Sequence, residues 1–302
     1  MTTGSETKSL VLAVDLGGTH VRIAAVDLGG HIRKQCKLRL ENKAPEYVVQ
    51  LVALEAQKLA ADMGLAWEVC GVGIAAMLRG QTVAVAPNLQ WQEEEFGQKL
   101  ERQLGIPTFL FNDLSAAAWG EFSLGAARGF RDSLTVFVGS GVGSALIHQR
   151  QLVQGARGVA GELGHVKLGG DYTALCGCGQ TGCLEAYVGG SNLKKRMAEQ
   201  GLEGGATELE AVAQQGNLVA QKLHDFVCRQ LGLAIANAVT LLNPEVLVLG
   251  GGVLLHCPGI FQGIEEGVHQ HAAAVALEAL VIRKASLGDD AGLLGAALLA
   301  IG

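Results

Sequence analysis

One histidine and three cysteines lie within a short glycine-rich stretch of this 302-residue chain. The stretch covers residues 161–185 and reads GELGHVKLGGDYTALCGCGQTGCLE. Ten residues separate His165 from Cys176, and Cys178 and Cys183 follow at the end of the stretch. Three thiolates and one imidazole form a closed tetrahedral donor set that suits Zn²⁺ and leaves no position for a catalytic water. The spacing therefore predicts a structural zinc site.

The same stretch carries two carboxylates, Glu162 and Glu185. Carboxylate oxygens accept hydrogen bonds, so these side chains can bind the hydroxyls of a polyhydroxy ligand. Glutamates on a surface are also commonly solvated and without a ligand. Both interpretations stay open on the residues alone.

A glycine turn near the N-terminus, DLGGTHVR, has the composition of a phosphate site. Gly17 and Gly18 let the backbone approach phosphate oxygens, Thr19 offers a hydroxyl, and Arg22 supplies a fixed positive charge. Asp15, at the end of the preceding apolar run, can hold a hydrated Mg²⁺ through its carboxylate. A plain hairpin turn is the alternative.

Two further glycine turns follow apolar runs, VGSGVGS at residues 138–144 and VLGGGV at residues 248–253. The first contains Gly139, Ser140 and Gly141 and leads into a strand-like run, which argues against a dinucleotide-binding fingerprint. Each turn alone is a weak signal. Three such turns at strand ends favour a nucleotide held between two domains.

Asp113 lies in FLFNDLSAAAWGE, between an apolar strand pattern and a helical one. At the carboxyl end of a strand in an α/β fold, a carboxylate can act as a general base on a substrate hydroxyl. A helix N-cap is the alternative, and both hold if Asn112 is the cap.

The chain alternates apolar strands with helical patterns, which predicts an α/β fold. Strand, glycine turn and strand occur from Leu10 and again from Leu134, which suggests two related halves facing one cleft. We place one domain at residues 1–113 plus about 288–302 and the other at 114–287. QEEEFGQKLERQLG, residues 92–105, predicts an amphipathic helix, and the first nine residues are polar and expected to be frayed.

Composition restricts the class of protein further. The net charge of −6 gives no reason to expect nucleic-acid binding. No uniformly apolar run of membrane-spanning length is present, and no signal peptide is apparent, so no membrane association is expected. Of seven cysteines three are clustered, which fits a reducing, cytoplasmic location better than a disulfide scaffold.

Taken together, these motifs resemble the ROK family of sugar kinases and sugar-responsive repressors, from DLGGTHVR to GDDAGLLGAALLA. The family resemblance implies a two-domain actin-like, hexokinase-like (ribonuclease H-like) ATPase fold. It also implies that Asp113 is the catalytic base and that sugar hydroxyls are bound by Asn112, Glu162, His165 and Glu185. His165, Cys176, Cys178 and Cys183 would hold the zinc, so that His165 serves both ligands. Around the phosphates of ATP would lie Asp15, Gly17, Gly18, Thr19, Gly139, Ser140 and Gly141, with Gly251 and Gly252 near the adenosine.

One segment departs from the pattern of many family members. GVGIAAMLRGQTVAVAPNLQW stands where a proline- and glycine-rich sugar loop is common, and is similar to the alanine-rich form of actinobacterial-type glucokinases. Gly73 and Asn88 are expected to line the sugar pocket in this segment.

The resemblance implies an ATP- and Mg²⁺-dependent glucokinase that forms a homodimer or homotetramer. A kinase for N-acetylglucosamine, N-acetylmannosamine, mannose or fructose remains open, and so does polyphosphate as phosphate donor. The family's repressors usually carry an N-terminal helix-turn-helix. Only nine residues precede the first predicted strand, so a regulator is disfavoured.

Overall fold

The computed structural model describes residues 10–302, and the nine polar residues expected to be frayed lie outside this range. The chain divides into two compact units. The first comprises the chain up to Leu124, together with Gln154–Val159 and Asp289–Gly302. The second comprises Gly125–Val153 and Ala160–Gly288.

The strands are β1 (Leu10–Leu16), β2 (His20–Asp27), β3 (Ile32–Arg39), β4 (Cys70–Ile74), β5 (Met77–Arg79), β6 (Thr82–Ala86), β7 (Trp91–Glu94), β8 (Thr108–Asn112), β9 (Ser133–Val138), β10 (Val142–His148), β11 (Gln151–Leu152), β12 (Val246–Gly250) and β13 (Val281–Lys284). The α-helices are α1 (Pro45–Met63), α2 (Phe96–Leu104), α3 (Asp113–Ser123), α4 (Glu185–Val188), α5 (Gly190–Glu199), α6 (Ala206–Gln214), α7 (Leu218–Leu242), α8 (Gly252–His256), α9 (Pro258–His271), α10 (Ala274–Leu277) and α11 (Ala291–Ala300). Short 3₁₀ helices cover Leu163–His165 and Gly288–Asp290.

Each unit contains a five-stranded mixed sheet, and the two sheets have the same topology. The strand orders are β3-β2-β1-β4-β8 and β11-β10-β9-β12-β13. In both, two antiparallel pairings are followed by two parallel ones. The α/β class and the related halves predicted from the sequence are confirmed.

Each unit also has its own apolar core. In the first, β1, β2 and β4 pack against α1 through residues such as Leu12, Val72 and Val52. In the second, β9 and β12 pack with α7 and α9 through residues such as Val136, Leu231 and Ile264. Burial of apolar area of this kind is the main favourable term in folding.

α3 belongs to the first unit, whereas the boundary expected from the sequence began the second domain at residue 114. The reason is the close packing of α3 on α11. Gly295 of α11 lies so near the backbone of Ala116 in α3 that a Cβ would collide with the Ala116 carbonyl oxygen. The helix that carries Asp113 is therefore fixed against the C-terminal helix.

The helix predicted over residues 92–105 is shorter in the structure, and this part of the prediction is wrong. Trp91–Glu94 is strand β7, and the helix begins at Phe96. β7 pairs antiparallel with β6, in register Ala86 to Trp91. The pairing partner is close in sequence, but the three glutamates at residues 93–95 are not typical of a strand, so the sequence pattern does not indicate one.

The helix α7 is long and apolar enough, with mean hydropathy 1.3 over its most apolar stretch, to cross a membrane by length and composition alone. In the structure its apolar residues Leu223, Val227 and Leu231 are buried in the core of the second unit. Core helices of soluble proteins share this composition, so the helix carries no argument for a membrane location.

Candidate active site

The first predicted phosphate turn lies between β1 and β2 and borders a pocket of about 240 Å³. The turn is closed by the Gly17 N–H, which donates to the His20 carbonyl oxygen at 3.0 Å. The pocket is lined by Asp15, Gly17, Thr19, His20, Arg22, Lys37 and Asp289. The structure therefore brings together four residues that the sequence singled out, with three that it did not.

Of the three residues that the sequence missed, His20 belongs to the turn itself, whereas Lys37 and Asp289 come from distant parts of the chain. Lys37 lies on β3 directly opposite Arg22, which in turn lies opposite Asp15 on β1. Asp289 comes from the 3₁₀ helix before α11. No local spacing in the sequence indicates either contact.

The charges around this pocket are partly paired. The Arg22 guanidinium donates to the Asp289 carbonyl oxygen and to the Asp290 carboxylate, and to Gln35 Oε1 at 3.0 Å. Burial raises the pKa of Asp15, Asp289 raises it further, and the Arg22 and Lys37 cations oppose the rise. A carboxylate that burial makes costly to ionise is stabilised by a bound cation, so Asp15 is suited to a metal ion.

Asn88 lies against the same turn. A Cβ on Gly18 would be 2.7 Å from the Asn88 Cβ, so glycine is required for this close approach. Lys43 Nζ holds the segment by donating to the Asn88 carbonyl oxygen at 2.8 Å. Gly73 is different, because it is buried in the middle of β4, where a Cβ would be 3.5 Å from the Ala116 Cβ. Its position is one of packing between sheet and helix.

Asn112 is the N-cap of α3. Its Oδ1 accepts hydrogen bonds from the Leu114 N–H at 3.1 Å and the Ser115 N–H at 3.0 Å, and its Nδ2 donates to the Ala76 carbonyl oxygen at 3.1 Å. Asp113 is the first residue of the helix. Since Asn112 is the cap, the alternative that Asp113 is the N-cap is ruled out.

The second and third glycine turns lie at neighbouring strand ends in the second unit. β9 and β12 are parallel, with Phe137 opposite Gly250. Gly251 has a φ of +87°, and a Cβ there would be 2.5 Å from the Val138 carbonyl oxygen. Gly252 follows as the first residue of α8. The turns predicted to bind phosphate and adenosine are therefore adjacent.

The turn Gly139–Gly141 is also fixed to the start of α5. The carbonyl oxygens of Gly139 and Ser140 accept hydrogen bonds from the N–H groups of Gly190 and Ser191, each at 2.9 Å. The run that follows is strand β10, as predicted. A strand after the glycine turn separates this motif from a dinucleotide-binding fold, in which a helix follows.

The four predicted metal ligands form one cluster. His165 Nδ1 is 3.5 Å from Cys176 Sγ, Cys178 Sγ is 3.7 Å from Cys183 Sγ, and the four ligand atoms all lie within 4.8 Å of one another. Zn–S bonds of about 2.3 Å place tetrahedral sulfur ligands about 3.8 Å apart. The donor set and its spacing therefore fit a tetrahedral Zn²⁺.

The surroundings of the cluster also fit a bound cation with thiolate ligands. Lys167 Nζ lies 3.2 Å from Cys183 Sγ, where its positive charge offsets one thiolate. Burial raises the pKa of the Cys176 thiol to about 12. A metal ion deprotonates such a thiol by binding it.

The second nitrogen of His165 points at a carboxylate. Its Nε2 lies 3.6 Å from Glu162 Oε2. Burial raises the pKa of Glu162, His165 opposes the rise, and the nearby Glu185 carboxylate adds to it. Glu185 Oε2 accepts a hydrogen bond from the Val142 N–H at 2.8 Å. The metal cluster, both carboxylates and the start of β10 thus form one continuous group.

The sequence profile of the ROK family matches residues 11–302. The chain, with its two related sheets and its cysteine and histidine cluster, belongs to the ROK family. The resemblance stated from the motifs is confirmed.

Among curated proteins, the chain is 31% identical to a glucokinase of Streptomyces coelicolor, over 96% of this chain and 97% of the relative. It is 32% identical to an N-acetylmannosamine kinase of Escherichia fergusonii, over 96% and 98% of the two chains. The relatives thus differ in the sugar that their names give.

Among solved structures, a ROK hexokinase from Thermus thermophilus superposes with a TM-score of 0.87 at 33% identity, covering 97% of this chain and 98% of the other. A ROK glucokinase from Streptomyces griseus in complex with glucose and AMPPNP superposes with a TM-score of 0.79 at 31% identity, covering 97% and 99%. The actin-like sugar-kinase fold implied by the motifs is confirmed by these neighbours.

Proposed function

We propose that this chain is an ATP-dependent hexose kinase that phosphorylates the 6-hydroxyl of glucose. The observation that carries the proposal is the Asn112–Asp113 pair, in which the cap is Asn112 and the carboxylate of Asp113 follows at the helix start. The ROK relatives with kinase names and the complex of one of them with glucose and AMPPNP support it.

In this proposal Asp113 is the general base. The sugar hydroxyl oxygen attacks the γ-phosphorus of ATP, its proton passes to the Asp113 carboxylate, and ADP leaves with the electron pair of the broken P–O bond. Most of the rate enhancement comes from holding the hydroxyl in line with the phosphorus. Asn112 contributes through the helix cap, and it keeps one amide hydrogen for a sugar hydroxyl.

The remaining sugar contacts are assigned to Glu162, His165 and Glu185. His165 Nδ1 faces the sulfur atoms while Nε2 faces Glu162, which is the arrangement a residue shared by metal and sugar requires. Asn88, beside the first glycine turn, and Gly73, on β4, are assigned to the lining of the sugar pocket. A structural zinc, when bound, supplies a fixed loop geometry for these side chains.

The phosphates of ATP are assigned to the turns that contain Gly17, Gly18 and Thr19 and to the turn Gly139–Gly141. The adenosine is assigned to Gly251 and Gly252. Asp15 and Asp289 are the carboxylates suited to Mg²⁺, which, when bound, neutralises charge on the phosphates. Lys37 and Arg22 add positive charge on the same side of the pocket.

The proposal is tested by ADP release with Mg-ATP and a panel of glucose, mannose, fructose, N-acetylglucosamine and N-acetylmannosamine. A clear preference for glucose is expected. Preference for an acetylated sugar would support the kinase activity but contradict the assignment of glucose as the substrate. If folded, zinc-loaded protein released no ADP with any of these sugars, the kinase assignment would be contradicted.

The base is tested separately by Asp113→Asn, for which kcat is expected to fall by about 10²- to 10⁴-fold with glucose KM little changed. Asp62→Asn is the matched control, because Asp62 lies on the surface and forms an exposed ion pair with Lys34 at 2.6 Å. This control is expected to retain the wild-type kcat. Full activity in Asp113→Asn would remove Asp113 from the role of base.

A further inference from the structure

One segment of the second unit begins at a metal ligand and ends on the glycine turn Gly139–Gly141. We call Cys183–Ser191 the bridge segment. Its first residue, Cys183, contributes one sulfur atom to the metal cluster. At its end, the N–H groups of Gly190 and Ser191 donate to the carbonyl oxygens of Gly139 and Ser140 in the turn. The metal cluster and the turn are thus joined by nine residues.

Glu185 makes a second connection from the middle of the bridge segment. Its Oε2 accepts from the Val142 N–H at 2.8 Å, at the residue directly after the turn. A Cβ on Gly141 would collide with this same oxygen. Its Oε1 lies 3.9 Å from Cys176 Sγ. One carboxylate therefore contacts both the glycine turn and the metal cluster.

We call residues 161–183, which contain the four residues of the cluster, the metal loop. Its N-terminal end contacts the same strand, β10. A Cβ on Gly164, next to the ligand His165, would collide with the Val142 carbonyl oxygen. Ser144 Oγ donates to the Gly161 carbonyl oxygen at 2.6 Å. The start of β10 is therefore held from two sides by residues that flank metal ligands.

From these contacts we propose that Glu185 is a positioning residue that couples the metal loop to the turn Gly139–Gly141, so that metal occupancy and nucleotide affinity are linked. The inference rests on the proposed function in one respect, the assignment of that turn to the phosphates of ATP. It gives Glu185 a role in nucleotide binding that sugar recognition does not require.

The physical reason is the order that the contacts impose on the turn. Without the metal, Cys183 is released two residues before Glu185, and the carboxylate loses its fixed position. The Val142 N–H then loses its partner, and the turn samples more conformations. A nucleotide must order these conformations on binding, which lowers its affinity. The coupling is reciprocal, so the nucleotide also strengthens metal retention.

The test compares Glu185→Ala with Glu185→Gln and, as a matched pair, Glu162→Ala with Glu162→Gln. ADP binding is measured by calorimetry without sugar, with metal content and circular dichroism recorded for each variant. Glu185→Ala is expected to weaken ADP binding about tenfold, as loss of a hydrogen bond to a charged group predicts. Glu185→Gln is expected to retain ADP affinity, because its amide oxygen still accepts from Val142.

The Glu162 pair separates this role from sugar recognition. Glu162 belongs to the same carboxylate pair, but its recorded contact is His165 and not the turn. Both Glu162 variants are therefore expected to bind ADP as the wild type does, while their glucose KM rises. A loss of ADP affinity equal to that of Glu185→Ala would overturn the proposal.

Removal of the metal with a chelator provides the second perturbation, which is applied to the wild type and to Glu185→Ala. Removing the metal from the wild type is expected to weaken ADP binding by a factor similar to that of Glu185→Ala, and to have little further effect in that variant. Unchanged ADP affinity in metal-loaded Glu185→Ala overturns the coupling, as does equal weakening in Glu185→Gln. A wild type that binds glucose but no ADP overturns the proposed function and the inference together, whereas the other results overturn the inference alone.

Discussion

At the residue scale, Asn112 and Asp113 are adjacent side chains with different roles. Asn112 caps α3, and Asp113 is the proposed base. Asn112 uses Oδ1 and Nδ2 to cap α3 and to reach Ala76. An aspartate in the cap position could accept the same N–H groups but could not donate to Ala76. The asparagine thus fixes the direction in which the helix leaves β8, and with it the backbone of Asp113.

Replacing the cap should therefore affect both stability and rate. Asn112→Ala is expected to lower the free energy of unfolding by about 1 kcal/mol and to reduce kcat by up to about 10²-fold through displacement of Asp113, the proposed base. Urea unfolding and ADP release measure the two effects.

Asn217→Ala is the matched control. Asn217 caps α7 with the same geometry, accepting from the Val219 and Ala220 N–H groups, each at 3.0 Å. A similar loss of stability with wild-type kcat is expected there. Equal loss of kcat in both variants would show that the rate follows global stability and not the position of Asp113.

At the scale of elements, the metal loop is a segment with little regular structure of its own. Its only helix is the 3₁₀ helix Leu163–His165. Short segments without a core of their own are commonly stabilised by a metal ion. The four side chains of the cluster are expected to supply that stabilisation.

We expect the wild type to bind one zinc ion per chain. Cys178→Ser is expected to lose most of this zinc, and to lower the thermal midpoint by roughly 5–10 °C. Cys36→Ser is the control, because Cys36 is a half-buried thiol on β3 outside the cluster. It should keep its zinc. Elemental analysis and thermal unfolding measure the two quantities, and full zinc content in Cys178→Ser would contradict the ligand set.

The turn between β2 and β3 is held by the carboxylate of Asp27. Burial raises the pKa of Asp27, but hydrogen bonds from the His31 N–H, Arg33 and the His31 side chain outweigh it and hold the pKa at about 2, against an ordinary value of 3.8. Because the folded value is the lower one, the carboxylate stabilises the fold above pH 3.8 and this contribution is lost as the pH falls towards 2.

Asp27→Asn is therefore expected to be less stable than the wild type at neutral pH, and the difference should narrow from about pH 4 towards pH 2. Urea unfolding across this range measures it. Asp62→Asn, which removes an exposed ion pair with Lys34, should change stability by less than about 1 kcal/mol at neutral pH. A pH-independent difference for Asp27→Asn would contradict the assigned contacts.

At the scale of the whole molecule, two units of the same topology carry different additions. The first unit adds the three-stranded sheet β5-β6-β7, and the second adds the metal loop and the helices α4 to α6. Large apolar side chains are left exposed at the end of α7 and on α10, where Leu241 is 83% and Val275 is 77% accessible. Exposed apolar side chains of this size are candidates for subunit contact.

Light scattering is expected to give twice or four times the chain mass of 31.4 kDa. Leu241→Asp with Val275→Asp is expected to shift the mass towards one chain, because burying two carboxylates in an interface is costly. Leu54→Asp, at an exposed site on α1, should not change it. A monomeric wild type would contradict the expected homo-oligomer.

The spacing of residues by itself determined the cysteine and histidine cluster, the three glycine turns, the Asn112–Asp113 junction and the repeated strand, turn and strand units. These are local features, because each depends on residues adjacent in the chain or on the length of a short loop. α1 is similarly followed by Gly64 in a left-handed conformation, which glycine adopts readily. Local propensity and turn chemistry are sufficient for such features.

Only the tertiary structure decided which side chains from distant segments share a site. Lys37 and Asp289 reach the first pocket through strand register and through the packing of α11, and Glu185 reaches Val142 across 43 residues. It also decided that residues 91–94 form a strand. Pairing of this kind depends on the burial of whole sheets and helices against one another, which the order of residues in a short window does not encode.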